Sequence, residues 1–247
     1  MNNYTIGITT FSKRFEFVNN LVKQIRLFNN NKIIIAINGE KNGNFPEDYR
    51  KNILNLCSSF DKVYPFFYIE TRGLCKLWNT ILINSDSHNS MILNDDLEIY
   101  SDNIFRETES HLNSSQYQGL TKINNSFSHF IVNKPLMDRI GYFDERLLGF
   151  GEEDGDIVYR LLKLGMSISN MPVNGVNNIV SDTRHDHIES GIGKYSKFNR
   201  DYIYNQKYSP NLSSPHQGMF DSPMDQKLED INNYPTEKFF QKNKGKL

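Results

Sequence analysis

The sequence predicts an α/β domain with a mostly parallel central sheet flanked by helices. Three observations lead there. Short apolar runs alternate with segments of helical period through the first hundred residues. One of those runs, "KIIIAING", is apolar without interruption and stops at Asn-Gly, as a strand buried on both faces does. The fourth run, "SMIL", ends directly in Asn94, Asp95 and Asp96, where such sheets bind ligands beyond their carboxyl ends.

The elements follow in order. "YTIGITTF" alternates and is rich in β-branched residues, so it reads as the first strand. "FEFVNNLVKQIRLF" carries Phe17, Leu21, Ile25 and Phe28 at helical spacing. After "KIIIAING" comes "PEDYRKNILNLCSSF", a helix with Pro46 near its start. "VYPFFYIE" is a strand, "GLCKLWNTILINS" a helix and "SMIL" a strand. Strand and helix in strict alternation imply right-handed crossovers and parallel pairing. Beyond residue 100 the order changes. "SDNIFRETESHLN" is helical, and "YQGLTKI" and "FSHFIVN" are strands joined by "NNS". "KPLMDRIG" is a short helix with Pro135 in its first turn and Gly141 past its end. "DIVYRLLKLG" is a helix with a stripe of Ile157, Leu161 and Leu164 and with Asp156 as N-cap. "SISNMPVNGV" adds an edge strand. From His216 the chain turns polar and loses periodicity. The expected organisation is therefore a domain over residues 1–215 and a C-terminal extension over 216–247.

Composition bounds the function. The 247 residues are 38% hydrophobic and 13% aromatic, enough for a core, and the net charge is -1. No basic surplus exists to grip nucleic acid. Two cysteines, Cys57 and Cys75, exclude a disulfide scaffold and read as buried free thiols. No apolar run reaches the ~20 residues of a membrane span, and "MNNYTIGITTF" is no signal peptide. The expected location is the cytoplasm, with peripheral association at the inner face of the membrane left open. Oligomeric state is not encoded legibly.

Two acidic knots carry the chemistry. In "LNDD", adjacent carboxylates at the ligand edge suit Mg²⁺ or Mn²⁺, which bind through one or two carboxylates plus substrate phosphates. An Asn-Asp-Asp turn without a ligand is the equally good plain reading. In "GFGEEDGDIVYRLLKLG", helix-start chemistry explains Asp156 and fits Asp154. It leaves Glu152, Glu153 and Asp154 as a group, flanked by Gly149, Gly151 and Gly155; a carboxylate in such a loop suits a general base. His185 and His187, two apart, share a face of an extended segment. Lys194, Lys197 and Arg200 suit either a leaving diphosphate or a solvated helix face. Trp78, Phe127, Phe130 and Tyr142 suit core or a sugar-stacking platform, and His129 is a lesser candidate.

The series "TIGITTFSKR", "IIIAINGE", "RGLCKLWNTIL", "MILNDDLEIY", "IGYFDERLLGFGEEDGDIVYRLLKLG" and "HIESG" resembles family 2 glycosyltransferases of the GT-A (Rossmann-like) fold. The likeness runs from Tyr4 to Tyr208, and its most specific part is the Phe-Asp-Glu leading to the Glu-Asp pair. It implies that Thr9, Thr10 and Phe11 border the nucleotide base, as do Asn38 and Gly39. Arg72, Gly73 and Asn79 match a stretch that covers the nucleotide. Asn94, Asp95 and Asp96 match the Asp-x-Asp region, with Asp96 the metal ligand. Asp154 matches the catalytic base, with Glu153 beside it on the acceptor. His187 matches a late metal-binding histidine, with His185 the second choice.

The implied activity is inverting, metal-dependent transfer of a sugar. The donor is a nucleotide-diphosphate sugar, and the acceptor is a hydroxyl of a glycan or lipid-linked glycan. The setting it suggests is bacterial surface polysaccharide, such as capsule or lipopolysaccharide. Two departures stand out. Asn94 replaces the first aspartate of the motif, and Asn38 replaces an expected acidic residue. A Gln-x-x-Arg-Trp motif is absent, which argues against a processive synthase. A sugar nucleotidyltransferase and a non-catalytic carbohydrate-binding relative are the alternatives. "TTFSKRFEF" lacks the glycine cluster of the first, and the Glu153-Asp154 pair argues against the second. Donor sugar, nucleotide, acceptor and linkage are not written in the sequence.

Overall fold

The structure is a computed structural model that describes residues 4–40, 43–179, 192–203 and 207. Four parallel strands form one half of the main sheet: β1 (Tyr4–Phe11), β2 (Ile33–Asn38), β3 (Val63–Phe67) and β4 (Asn89–Asn94). Between them run α1 (Phe15–Phe28), α2 (Glu47–Ser58) and α3 (Leu74–Asn84). A short β5 (Leu97–Ile99) and α4 (Asn103–Leu112) follow. Then come β6 (Leu120–Ile123), β7 (Ser126–Asn133), α5 (Lys134–Ile140) and α6 (Glu153–Lys163). β8 (Ser169–Met171), β9 (Val176–Asn178) and α7 (Ile192–Tyr202) complete the described elements.

The main sheet has the order β3-β2-β1-β4-β7-β6-β8. β7 is antiparallel to both its neighbours, and β6 and β8 are parallel. The sheet is therefore mixed and mostly parallel, as the alternation predicted. "SISNMPVNGV" is not one edge strand: it splits, with β8 on the main sheet and β9 pairing antiparallel with β5.

Strand residues alternate between two cores. Ile6, Ile8, Ile35, Ile37, Met91 and Leu93 pack against α1, α2 and α4. Ile34, Ala36, Ile92, Phe130 and Val132 face α3, α5 and α6. This period-2 split is why "KIIIA" is apolar on both faces. The α1 stripe sits one step from the sequence expectation. Val18, Leu21, Val22 and Ile25 are buried, whereas Phe28 is 40% exposed. The residues expected to be structural or sugar-stacking resolve toward the core. Trp78 meets Phe130 edge-on at 5.1 Å and Phe143 at 4.7 Å, and both cysteines are buried and free.

The helix ends differ in one instructive place. α5 is capped by Asn133, whose Oδ1 accepts from the Leu136 N–H at 2.8 Å, with Pro135 in the first turn. α6 begins at Glu153, not at Asp156. Its N-cap is Glu152, a non-glycine residue at φ 73. Arg200 of α7 holds that residue at 2.8 Å, and the Ser196 hydroxyl donates to it at 3.1 Å. The 215/216 boundary lies outside the described residues.

Candidate active site

In-register pairing brings the ends of four strands to one rim. Thr9 stands beside Asn94, Phe11 beside Asn38, and Ile37 beside Phe67. The acidic turn Asn94–Asp96 projects from that rim. Asn94 is the last residue of β4, and its Oδ1 accepts from the Thr9 hydroxyl at 3.3 Å. The Thr10 hydroxyl donates to Asp95 Oδ2 at 2.5 Å. Asp95 is only 2% exposed, and burial raises its carboxyl to about 7 against the opposing pull of Arg14 and Thr10. Asp96, next in sequence, is half-buried.

Arg14 binds this turn together from below. Its guanidinium lies 3.2 Å from Asp95 and 3.4 Å from Asp96. The rings of Phe17 and Phe11 flank it at 4.6 and 5.4 Å. Nothing in the sequence announced this contact, because Arg14 and Asp95 are some eighty positions apart. The only hint was a cation in the loop that leaves β1 at the ligand edge.

The other side of the turn is clamped by β9. The Ile179 N–H donates to the Asp96 carbonyl at 2.8 Å. His129 Nδ1 accepts from the Asn94 N–H at 3.4 Å, while Nε2 meets Asn178 Oδ1 at 2.7 Å. Burial lowers the imidazole pKa, which favours the neutral Nε2–H tautomer these contacts require. His129 is thus a brace of the turn and is 3% exposed.

Asn38 and Gly39 join two rim loops. Asn38 Oδ1 accepts from the N–H groups of Arg72 at 2.7 Å and Gly39 at 3.0 Å, and its Nδ2 donates to the Arg72 carbonyl at 3.0 Å. A Cβ on Gly39 would stand 2.4 Å from the Ile69 carbonyl, so only glycine fits. Next to it, Glu40 accepts a hydrogen bond from the Ser12 hydroxyl of the β1–α1 loop. Glu40 places a carboxylate on the rim that Asn38 does not supply.

The second acidic knot reaches the same rim through α3. A Cβ on Gly73 would lie 2.4 Å from the Leu147 carbonyl, and the Leu74 N–H donates to the Gly149 carbonyl at 2.7 Å. α3 begins at the carboxyl edge, so the glycine loop and the start of α6 are docked there. Asp154 is exposed, and its Oδ1 accepts from the Gly155 N–H at 2.8 Å. Glu153 is half-buried and accepts from the Gly151 N–H. Burial, then the charges of Asp154 and Glu152, raise it to about 7. Among the described residues no hydrogen bond or ion pair joins Asp96 to Glu153 or Asp154.

Behind this loop lies a buried ionic cluster. Asp156 meets Arg160 at 2.9 Å and Lys207 at 2.8 Å, and Asp144 meets Lys207 at 2.7 Å and Arg146 at 2.8 Å. Burial by itself would raise both carboxyls, but the cations, Lys207 first, hold them below the usual range. Asp156 is accordingly a core ion-pair member within the first turn of α6.

Two further expected site residues are engaged elsewhere. Asn79 is 0% exposed, and its amide bridges to the Phe143 backbone and Glu145, so it locks α3 to the loop. Arg200 is engaged with Glu152. His185 and His187 lie outside the described residues. A polar groove of about 660 Å³ opens at the opposite edge, lined by Tyr4, Asn30, Lys32, Tyr64 and His88. It sits at the amino ends of the strands, away from both acidic knots, and is not the candidate site.

Among the described residues no three His, Cys, Asp or Glu side chains are arranged to hold a metal. The donor chemistry of the turn nevertheless fits a hard cation. Asp96 offers carboxylate oxygens and lies beside a second carboxylate, and Mg²⁺ or Mn²⁺ commonly needs only one or two from the protein.

Residues 80–202 match the family described as Glycosyltransferase like family 2. The chain is a glycosyltransferase. Its fold is GT-A. A mannosyltransferase from Pyrobaculum calidifontis, solved with GDP-Man and Mn²⁺, superposes at a TM-score of 0.61 with 10% identity, over 99% of this chain and 76% of that one. Glucosyl-3-phosphoglycerate synthase from Mycobacterium tuberculosis, in complex with Mn²⁺, UDP and phosphoglyceric acid, gives 0.57 at 10% identity, over 82% and 78%. No curated protein sequence matches the transferase. Among its described residues no helix is long and apolar enough to cross a membrane.

Proposed function

We propose that this transferase moves a sugar, with inversion, from a nucleotide-diphosphate sugar to a hydroxyl of a glycan or lipid-linked glycan, of the kind found in bacterial surface polysaccharides. One observation carries the reading: both acidic knots are anchored to the carboxyl rim of the sheet, one as the β4 turn and one through the start of α3.

The chain's own residues divide the work. Thr9, Thr10, Phe11, Asn38, Gly39, Arg72 and Gly73 form the rim on which the nucleotide lies, and Glu40 supplies its acidic contact. Asp95 and Asn94 shape the turn through Thr10 and Thr9. Asp96 would hold Mg²⁺ or Mn²⁺. His187 follows Ile179 by eight residues, and Ile179 is bonded to the Asp96 carbonyl. His187 would add a second protein ligand to that cation. The bound cation would neutralise charge on the departing diphosphate.

Asp154 is exposed, follows the loop docked on α3, and is the group offered to an acceptor hydroxyl. It takes the proton at Oδ as the acceptor oxygen attacks the anomeric carbon from the face opposite the leaving group. Glu153 stands beside it on the acceptor side, tied to the loop by the Gly151 N–H. Alignment of two bound substrates supplies much of the acceleration.

A panel of sugar nucleotides incubated with Mn²⁺ tests the class. Slow release of nucleoside diphosphate is the expected result. Exchange of pyrophosphate into nucleoside triphosphate would instead make the chain a nucleotidyltransferase, and inertness with every donor would leave a sugar-binding relative.

A further inference from the structure

Arg14 against the acidic turn bears on how a cation enters. Asn94 is neutral, so the turn has two carboxylates, and Arg14 sits 3.2 Å from one and 3.4 Å from the other. With both carboxylates ionised, turn and guanidinium together carry a single net negative charge. A guanidinium does not deprotonate. Nor is this one free to swing aside: it is 6% exposed and packed between Phe17 and Phe11. Its Nε and Nη2 are buried and make no hydrogen bond among the described residues. It is therefore held by charge and packing, and Asp96, half-buried, faces it as an ion pair at 3.4 Å without a hydrogen bond.

We propose that Arg14 is the internal counter-cation of the acidic turn, so that the divalent ion binds firmly only together with the diphosphate of the donor. This rests on the reading of Asp96 as metal ligand. A divalent ion at Asp96 lies close to a fixed positive charge in a region poor in water, where repulsion is weakly screened. One net negative charge from the protein is a poor match for that ion alone. A diphosphate adds negative charge and further oxygen ligands, and the balance becomes favourable. Arg14 is thus a positioning residue: it keeps the two carboxylates assembled before the donor arrives.

The test is Mn²⁺ binding to the full chain, read from the electron paramagnetic resonance signal of free Mn²⁺, alone and with UDP or GDP added separately, each corrected by a protein-free titration for the Mn²⁺ that the nucleotide itself binds. In the wild type, Mn²⁺ should bind at least about tenfold more tightly with a nucleoside diphosphate than without. Arg14→Gln should bind Mn²⁺ alone about tenfold more tightly than the wild type, while its metal-free thermal midpoint falls. Arg14→Lys keeps the charge and should stay near the wild type. Asp96→Ala should lose the binding in every state. Equal wild-type affinity with and without diphosphate overturns the proposal and leaves the metal reading standing. So does a folded Arg14→Gln chain that gains no affinity. If Arg14→Gln does not fold, the wild-type comparison decides. If no Mn²⁺ binds with either nucleotide, the metal reading falls and the proposal with it.

Discussion

At the scale of single residues, neighbouring carboxylates have been given different environments. Asp154 is exposed and Glu153 is half-buried, one position apart at the start of α6. Asp154→Asn should preserve donor binding and reduce transfer by at least about a hundredfold, the usual scale for removing a general base. Near-normal turnover by that variant would take Asp154 out of its role. Glu153 makes a separate prediction from its raised pKa. The folded chain holds the proton up to about pH 7, whereas the unfolded chain releases it near the ordinary glutamate value. The folded state binds the extra proton in that window, so stability falls as pH rises through it and levels above it. Glu153→Gln removes the slope. Relative to the wild type, it should gain on the order of 2 kcal/mol between pH 4.5 and pH 8. Thermal denaturation of both proteins at the two pH values measures this, and parallel curves would refute it.

At the scale of elements, the start of α6 is fixed by what packs behind it. Gly73 lets α3 approach the Leu147 carbonyl, and Asn79 ties the same helix to Phe143 and Glu145. Gly73→Ala would force backbone against backbone. It should cost about 1–3 kcal/mol and lower transfer by shifting the glycine loop. An unchanged melting curve would show that the loop yields at no cost. Lys207 works on the same loop from the C-terminal side, between Asp144 and Asp156. Lys207→Met leaves those carboxylates buried with less positive charge and should destabilise by about 3–5 kcal/mol. The pH dependence has a definite sign. Both carboxyls are depressed, so their contribution is present above the ordinary aspartate range and is lost as pH falls through their folded values. With Lys207 replaced, acid unfolding should begin at higher pH, which circular dichroism against pH reads directly.

At the scale of the whole molecule, the mixed sheet divides into two halves. Parallel β3, β2, β1 and β4 build the rim that bears the first acidic turn, and β7, β6 and β8 complete the sheet around the chain that leads into and out of the second acidic knot. The expected domain boundary can be tested on that division. A chain ending at residue 215 keeps Lys207 and should retain fold and transfer, whereas one ending at residue 203 lacks it and should melt well below the full chain. Equal stability of the two truncations would show that Lys207 adds nothing to the core.

The sequence alone determined the alternation of strand and helix, the two-faced burial of β2 and the place of "LNDD" at a strand end. These are local: period, run length and turn residues act within a few positions, and parallel topology follows from alternation. It also marked the Glu-Asp loop, because three acidic residues among glycines exceed what a helix start needs. Only the tertiary structure decided the partners. Arg14 under Asp95, Asn79 locked into the core, His129 as a brace and Lys207 between two aspartates all join residues dozens of positions apart. A charge or an amide looks the same in sequence whether it faces solvent, a ligand or a buried counter-ion. Which one it meets is set by the packing of distant elements, and that packing has no local signature.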